Sequence, residues 1–264
     1  MSSPDSSFPR LQPITVQPIG WIHSPYRQKF AIPRQPNLVR EAVGDIHFLP
    51  TFADPNSLRG IEGFSHLWVV FQFHETADKD WTPTVTPPRL GGTERVGVFA
   101  SRSPYRPNGL GLSVVERVKV LHNGPELILR VRGIDLLDGT PILDIKPYIP
   151  YADSIADAVG GYAPSAPHTT GIDEVKAYSP ITVSFSRNSM FQLEKIDFQL
   201  CDLTAFIRSV LQQDPRPAQH VRKGDEREYG MHLYDFNIRW RVTGNAAEVL
   251  SVEPIVDGVL PWKL

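Results

Sequence analysis

Cysteine is nearly absent: Cys201 is the single thiol in 264 residues. One thiol makes neither an internal disulfide nor a multi-thiolate zinc site, so oxidised secreted scaffolds and zinc ribbons are excluded and a reducing compartment is expected. No stretch approaches the roughly 18 consecutive apolar residues of a membrane-spanning helix. The opening MSSPDSSFPRLQP lacks a basic start followed by an apolar block, so residues 1–13 read as a flexible polar tail, and the cytoplasm is the expected location. Charge of one sign is lacking too: 27 basic and 29 acidic residues leave a net charge of −2, and nothing global announces a polyanionic partner. The eight histidines are scattered, with no pair at ligand spacing near carboxylates, so no metal is expected. Gly91-Gly92 in PPRLGGTERVG lacks the third glycine and the following helix of a dinucleotide fingerprint. No GxSxG elbow and no His-paired cysteine is present.

Proline, by contrast, is abundant. Its 25 occurrences are about 9.5% of the chain against a usual ~5%, which disfavours long helical bundles. ITVQPIGWIHS, residues 14–24, predicts a strand ended by Pro25. A period of two puts Leu67, Val69, Phe71 and Phe73 of HLWVVFQF on one face. It does the same for Leu112, Val114, Val118 and Val120 of LSVVERVKV and for Leu127, Leu129 and Val131 of ELILRVRGI. GDIHFL (44–49) and RVGVFA (95–100) add two strands. Pro/Gly-rich loops join them rather than helices of crossover length, so the predicted class is mainly β, an antiparallel, barrel-like sheet over residues 14–153. Residues 154–179 are rich in small and turn-forming side chains and read as a linker. Residues 180–264 read as a small α+β domain. ITVSF forms a strand there, and FQLCDLTAFIRSVLQQ spaces Leu200, Leu203, Ile207 and Leu211 at helical intervals. HLYDFNIRWRV forms a strand with Tyr234, Phe236, Ile238, Trp240 and Val242 on one face and Asp235, Asn237, Arg239 and Arg241 on the other.

The densest polar cluster is SRSPYRPNGLG, residues 101–111, between two strands. Its prolines and glycines suit a stiff loop that presents Arg102, Arg106 and Asn108 in fixed directions, or else an ordinary solvated turn. LLDGTPILDIKPY (136–148) sets Asp138, Asp144 and Lys146 between apolar anchors, and FAIPRQPNL (30–38) is a third proline-stiffened loop. Taken alone, Asp138-Gly139-Thr140-Pro141 is an ordinary β-turn. His66 and His74, at the two ends of HLWVVFQF, read first as structural hydrogen bonders.

IGWIHSPY (19–26), FAIPRQPNL, LRGIEGFSHLWVVFQFHE (58–75), GVFASRSPYRPNGLGLSVVE (97–116) and LLDGTPILDIKPYIPYAD together resemble the TsaA-like family, which includes tRNA adenine N6-methyltransferases. DPRPAQHVRKGDE followed by LYDFNIRWRV is similar to the extra C-terminal domain of some members. The resemblance implies a single-sheeted β-barrel, usually a homodimer, that binds S-adenosylmethionine without a Rossmann fold. It implies methylation of N6 of threonylcarbamoyl-adenosine at position 37 of threonine tRNA. It carries the cofactor contacts onto Pro33, Arg34, Gln35, His74, Glu75, Arg102, Leu112, Asp138, Gly139, Thr140 and Pro141. Two departures stand out: the family's RPNPIG reads RPNGLG, with Gly109 for proline, and the second position of its HQ pair is Glu75.

For such a reaction, an in-line displacement at a sulfonium methyl, holding the reactants in line is worth up to ~7 to 11 kcal/mol, and rigid loops suit that task. Arg102 and Arg34 are candidates for the cofactor carboxylate, and Glu75 or Asp138 for its amine or ribose. Asp144 or His74 is the expected general base, with Arg106 or Lys146, beside Asn108, receiving the substrate's carboxylate. In the C-terminal part, Arg216, Arg222, Lys223, Arg227, Arg239 and Arg241 are the expected tRNA contacts, against a plain solvated face. The rival classes are an RNA-binding module without catalysis and a hydrolase of a small anionic metabolite.

Overall fold

The computed structural model describes residues 12–90, 94–164, 181–216, 220 and 227–255. In chain order its strands are β1 (Gly20–His23), β2 (Val43–Phe48), β3 (His66–Gln72), β4 (Thr84–Val85), β5 (Val96–Gly97), β6 (Leu110–Asn123), β7 (Glu126–Arg132), β8 (Pro141–Pro147), β9 (Thr182–Phe185), β10 (Glu228–Leu233), β11 (Phe236–Thr243) and β12 (Ala246–Pro254). Helices α1 (Pro150–Asp153), α2 (Arg187–Leu193) and α3 (Leu203–Gln212) complete the elements used below. A closed barrel runs β1-β2-β7-β6-β3-β8, and β10-β11-β12-β9 form a second sheet. Every barrel pairing is antiparallel. In the second sheet, β9 runs parallel to β12.

Closure depends on β6. Its first half pairs with β3 and its second with β7, and a bulge between Arg117 and Lys119 bends it from one neighbour to the other. Ile22, Ile46, Leu67, Val69, Phe71, Val115, Leu129, Val131 and Ile142 fill the interior. Gly111 is required there: a Cβ at that position would lie 2.2 Å from the Phe71 ring.

Several predicted elements differ. The strand expected over 14–24 is confined to β1, because Ile14 and Val16 are solvent-exposed and have no partner strand. Of RVGVFA only β5 is extended, and Val98–Ala100 is a 3-10 turn. In β6 the predicted face is inverted: Ser113 and Val115 are buried, whereas Leu112 is 54% exposed. Both faces of that strand carry apolar residues, so alternation alone does not say which points inward. HLYDFNIRWRV is a hairpin rather than one strand, with Tyr234 (φ +50°) and Asp235 turning between β10 and β11. A two-residue turn preserves the parity of the alternation, which is why Tyr234, Phe236, Ile238, Trp240 and Val242 are all buried as the pattern predicts. Leu200 precedes α3, whose start is set by Asp202 accepting from the Ala205 N–H at 2.9 Å.

Residues 154–164 are mostly exposed turns, and the rest of the predicted linker lies outside the described residues, as do Gly91, Gly92, Arg222 and Lys223. The second sheet and α3 share one hydrophobic core with the barrel. Phe206 packs at a tilt between Tyr26 and Tyr234, with ring centroids 6.1 and 5.0 Å away. The Val43 N–H donates to Tyr234 Oη at 3.0 Å. Arg27 spans Asp138 in the barrel and Asp235 in the hairpin turn.

Candidate active site

One mouth of the barrel is formed by the ends of β1, β3 and β7 and the starts of β2, β6 and β8. Three loops meet there, each held by its own hydrogen bonds. In the loop 101–109, Arg106 donates to the carbonyls of Ser103 (3.1 Å), Ser101 (2.8 Å) and Val98 (3.4 Å). Gly109 adopts φ +58° and its carbonyl accepts from the Phe73 N–H at 2.8 Å. Proline, fixed near φ −65°, cannot take that conformation.

The PRQ loop is stapled to the same mouth. The Asn37 N–H donates to Gly133 O at 2.8 Å, and Asn37 Nδ2 to Val114 O at 3.0 Å. Arg102 Nη1 donates to Gln35 Oε1, joining the first two loops. In the third, residues 133–141, Asp135 Oδ1 accepts from Ser113 Oγ at 2.6 Å. Asp138 accepts from the Ser24 N–H at 2.7 Å, contacts His23 Nδ1 at 2.9 Å and pairs with Arg27.

These two carboxylates have opposite electrostatics. Burial pushes the Asp135 carboxyl up to about 6, against the hydrogen bond from Ser113 and the charge of Arg102. Burial also acts on Asp138, but the hydrogen bonds from His23 and Ser24 and the Arg27 charge outweigh it and hold that carboxyl below the usual range. Burial raises the Cys201 thiol to about 11, and its sulfur sits 3.7 Å from Tyr234 Oη, an environment for an inert thiol rather than a nucleophile.

The structure brings Gln35 and Arg102 together, with buried Pro33 two residues before Gln35. Arg34 is exposed and faces a notch of about 160 Å³ shared with Lys29, Phe30, Gln213 and Arg216. His74 and Glu75 form the turn after β3, with Nε2 and Oε1 3.8 Å apart. Leu112 points outward, and Asn108 is exposed at its loop tip. Asp138, Gly139 (φ +76°) and Thr140 lash β8 to β1: Gly139 N–H donates to Ile22 O at 2.9 Å and the Ile22 N–H to Thr140 O at 3.0 Å, while Thr140 Oγ1 donates to Leu137 O at 2.7 Å within the loop. Pro141 begins β8.

Asp144 and Lys146 are not part of this cluster. Both are exposed on β8, and Asp144 lines a cavity of about 470 Å³ beside Ile19, Phe48, Leu67 and Pro147, at the other mouth. His66 contacts Ser65 Oγ at 3.0 Å. The pattern reading missed Asp135 and Ser113. Ser113 lies on the face of β6 that apolar alternation assigns outward, so hydropathy gives no signal for it.

Trp81, Phe99, Tyr105 and Leu110 are exposed around the loop 101–109. Flat apolar faces rimming a polar, hydrogen-bonded mouth suit a ligand with an aromatic base and charged ends. On the second sheet, Arg239 pairs with Glu228 at 2.5 Å and Arg241 with Glu248 at 3.2 Å. Arg216 forms a bidentate pair with Asp214. Among the described residues no three His, Cys, Asp or Glu side chains form a metal-binding group, and no helix is long and apolar enough to cross a membrane.

Comparison with known proteins extends this geometry. Residues 21–154 match the family model of the tRNA-methyltransferase O N-terminal domain, and residues 178–255 that of the TrmO C-terminal domain. The chain is 48% identical over 238 residues to a tRNA (adenine(37)-N6)-methyltransferase of Escherichia coli, an alignment covering 89% of this chain and 96% of the relative. It is 43% identical to a putative S-adenosylmethionine-dependent methyltransferase, RcsF, of Pseudomonas aeruginosa, over 86% of this chain and 91% of that one. The crystal structure of TrmO from P. aeruginosa superposes with a TM-score of 0.71 at 37% identity, covering 93% of this chain and 99% of that one.

Proposed function

The chain belongs to the tRNA-methyltransferase O family, and from that membership we infer that it transfers the methyl group of S-adenosylmethionine to N6 of adenine 37 in tRNA. The observation that carries the reading in this chain is the joint between loops: Arg102 bonded to Gln35 at a mouth that also holds Asp135. Those residues fit the cofactor. Its carboxylate requires a cation, its amine and ribose require acceptors, and its adenine requires an apolar face, and this mouth carries each of these. S-adenosylmethionine, when bound, supplies a methyl group on a positively charged sulfur.

The chain's part is to bind and to orient. Arg102 is assigned to the carboxylate, and the exposed Glu75 to the ammonium group. Arg106, whose Nε and Nη2 donate to three backbone carbonyls, keeps the loop in shape, and Asp138 does the same for Gly139 to Pro141. A rigid mouth of this kind contributes by alignment. We extend the reading to threonylcarbamoyl-adenosine in threonine tRNA, to the cytoplasm, to a C-terminal sheet that contacts RNA, and to a homodimer. Trp68, Val70, Leu112 and Val114, cross-strand neighbours on the outward side of β3 and β6, supply an apolar strip for self-association.

Calorimetry with S-adenosylmethionine tests the site. The parent is expected to bind, and Arg102→Lys, which loses the forked geometry, to bind about tenfold or more weakly with an unchanged apo melting temperature. Equal affinity of the two proteins would remove Arg102 from the site, and no binding by the folded parent would remove the methyltransferase reading.

A further inference from the structure

Adding a methyl group to N6 displaces a proton, and of the two bases the sequence suggests, His74 faces Glu75 across 3.8 Å in the turn after β3 and Asp144 lines the cavity at the other mouth. Of the carboxylates proposed for the site, Asp138 is bound by His23, the Ser24 N–H and Arg27. Asp144 is exposed, accepts the Ile145 N–H at 2.9 Å and faces the other mouth. Asp135 differs from both. It lies within the three-loop junction: Ser113 Oγ orients it from β6, Arg102 reaches it electrostatically from the loop 101–109, and the PRQ loop is tied to its neighbour Gly133.

We propose that Asp135 is the general base of the methyl transfer, oriented by Ser113. The inference rests on the reading of the protein as an adenine-N6 methyltransferase. The lone pair of N6 forms the new N–C bond. The electron pair of the broken S–C bond stays on sulfur, leaving a neutral thioether, and the N6 proton passes to the Asp135 carboxylate and then to water. That nitrogen is a poor nucleophile, because its lone pair is delocalised into the purine and the carbamoyl carbonyl, so removing its proton as the bond forms is where a base helps most. A carboxyl lifted to about 6 is ionised at neutral pH yet basic enough to take a proton, the balance a general base requires. The charged and titratable groups that act on it are Arg102, and Tyr26, whose buried phenol is coupled to Asp135 and also to Glu41 and Cys201.

The test compares the parent, Asp135→Asn and Ser113→Ala in single-turnover methylation of threonylcarbamoyl-bearing tRNA from pH 5 to 8, with S-adenosylmethionine affinity and apo melting measured alongside. Asp135→Asn is expected to slow the step by about 10²- to 10⁴-fold with cofactor affinity kept within threefold. The parent's rate is expected to fall about tenfold per pH unit below pH ~6, a limb that Asp135→Asn loses. Ser113→Ala keeps the carboxylate but loses the hydrogen bond favouring its ionised form, so its limb moves to higher pH. In the apo protein, Asp135→Asn is expected to melt at a higher temperature than the parent at pH 7.5, with the gain vanishing below pH 4. A carboxyl raised on folding weighs against the fold when ionised, and that penalty disappears as pH falls from the raised value to the ordinary one. A slowing of less than about 10²-fold, or cofactor affinity weakened more than threefold, would overturn the proposal and make Asp135 a bystander or a ligand holder. A parent inactive on this tRNA would overturn the functional reading itself, and the proposal with it.

Discussion

Asp138 shows how a residue at the mouth can act through the backbone rather than through the ligand. Its carboxylate gathers His23, the Ser24 N–H and Arg27, so it fixes the chain leading into β8. Its side chain is 25% exposed, which puts the cost of Asp138→Asn below that of breaking a fully buried pair, at about 2 kcal/mol. For a chain of this length that is roughly 4–8 °C in melting temperature. The carboxyl is depressed on folding, so its contribution is complete above the ordinary carboxylate range and is lost as pH falls through the depressed value. Differential scanning calorimetry should therefore show the gap between parent and variant at pH 7 closing in acid. A pH-independent gap would mean that the variant acts through packing instead.

Among the elements, β6 decides the shape of the barrel, and it was only partly legible. Alternation in β3 was readable because Leu67, Val69 and Phe71 share the inward face. In β6, apolar Leu112 and Val114 face outward and Gly111, Ser113 and Val115 inward, so hydropathy pointed to the wrong side. The hairpin at Tyr234–Asp235 was hidden by its even turn. The stiff loop 101–109 was visible in its prolines and glycines, yet the company it keeps was not. Asp135 and Ser113 are 22 residues apart and meet where the β6–β7 hairpin register, with Glu116 opposite Arg132, is carried three residues further. Gly111→Ala tests the closure of the barrel: its Cβ must displace the Phe71 ring, at about 1–3 kcal/mol, and Phe71→Leu in the same chain should recover part of the loss. Additive destabilisation in denaturant titrations would show that the two positions do not press on one another.

At the scale of the whole molecule, the C-terminal sheet and α3 share the barrel's core, so they support the mouth whether or not they touch RNA. Arg239 and Arg241 are already paired with Glu228 and Glu248, but exposed pairs are worth only about 0–1 kcal/mol and can give way to phosphates. Replacing both arginines with alanine should weaken tRNA binding and flatten its log–log salt dependence by about two units, with cofactor affinity unchanged. Parent affinity and slope would confine recognition to the barrel.

The most direct test of the account is the product. The purified protein is incubated with S-adenosylmethionine and threonine tRNA, with or without the threonylcarbamoyl group at position 37, and the RNA is digested to nucleosides for mass spectrometry. The account predicts one added methyl group on threonylcarbamoyl-adenosine and little reaction at an unmodified adenosine. No methylated nucleoside, or a methyl group on any atom other than N6 of adenine 37, would contradict it.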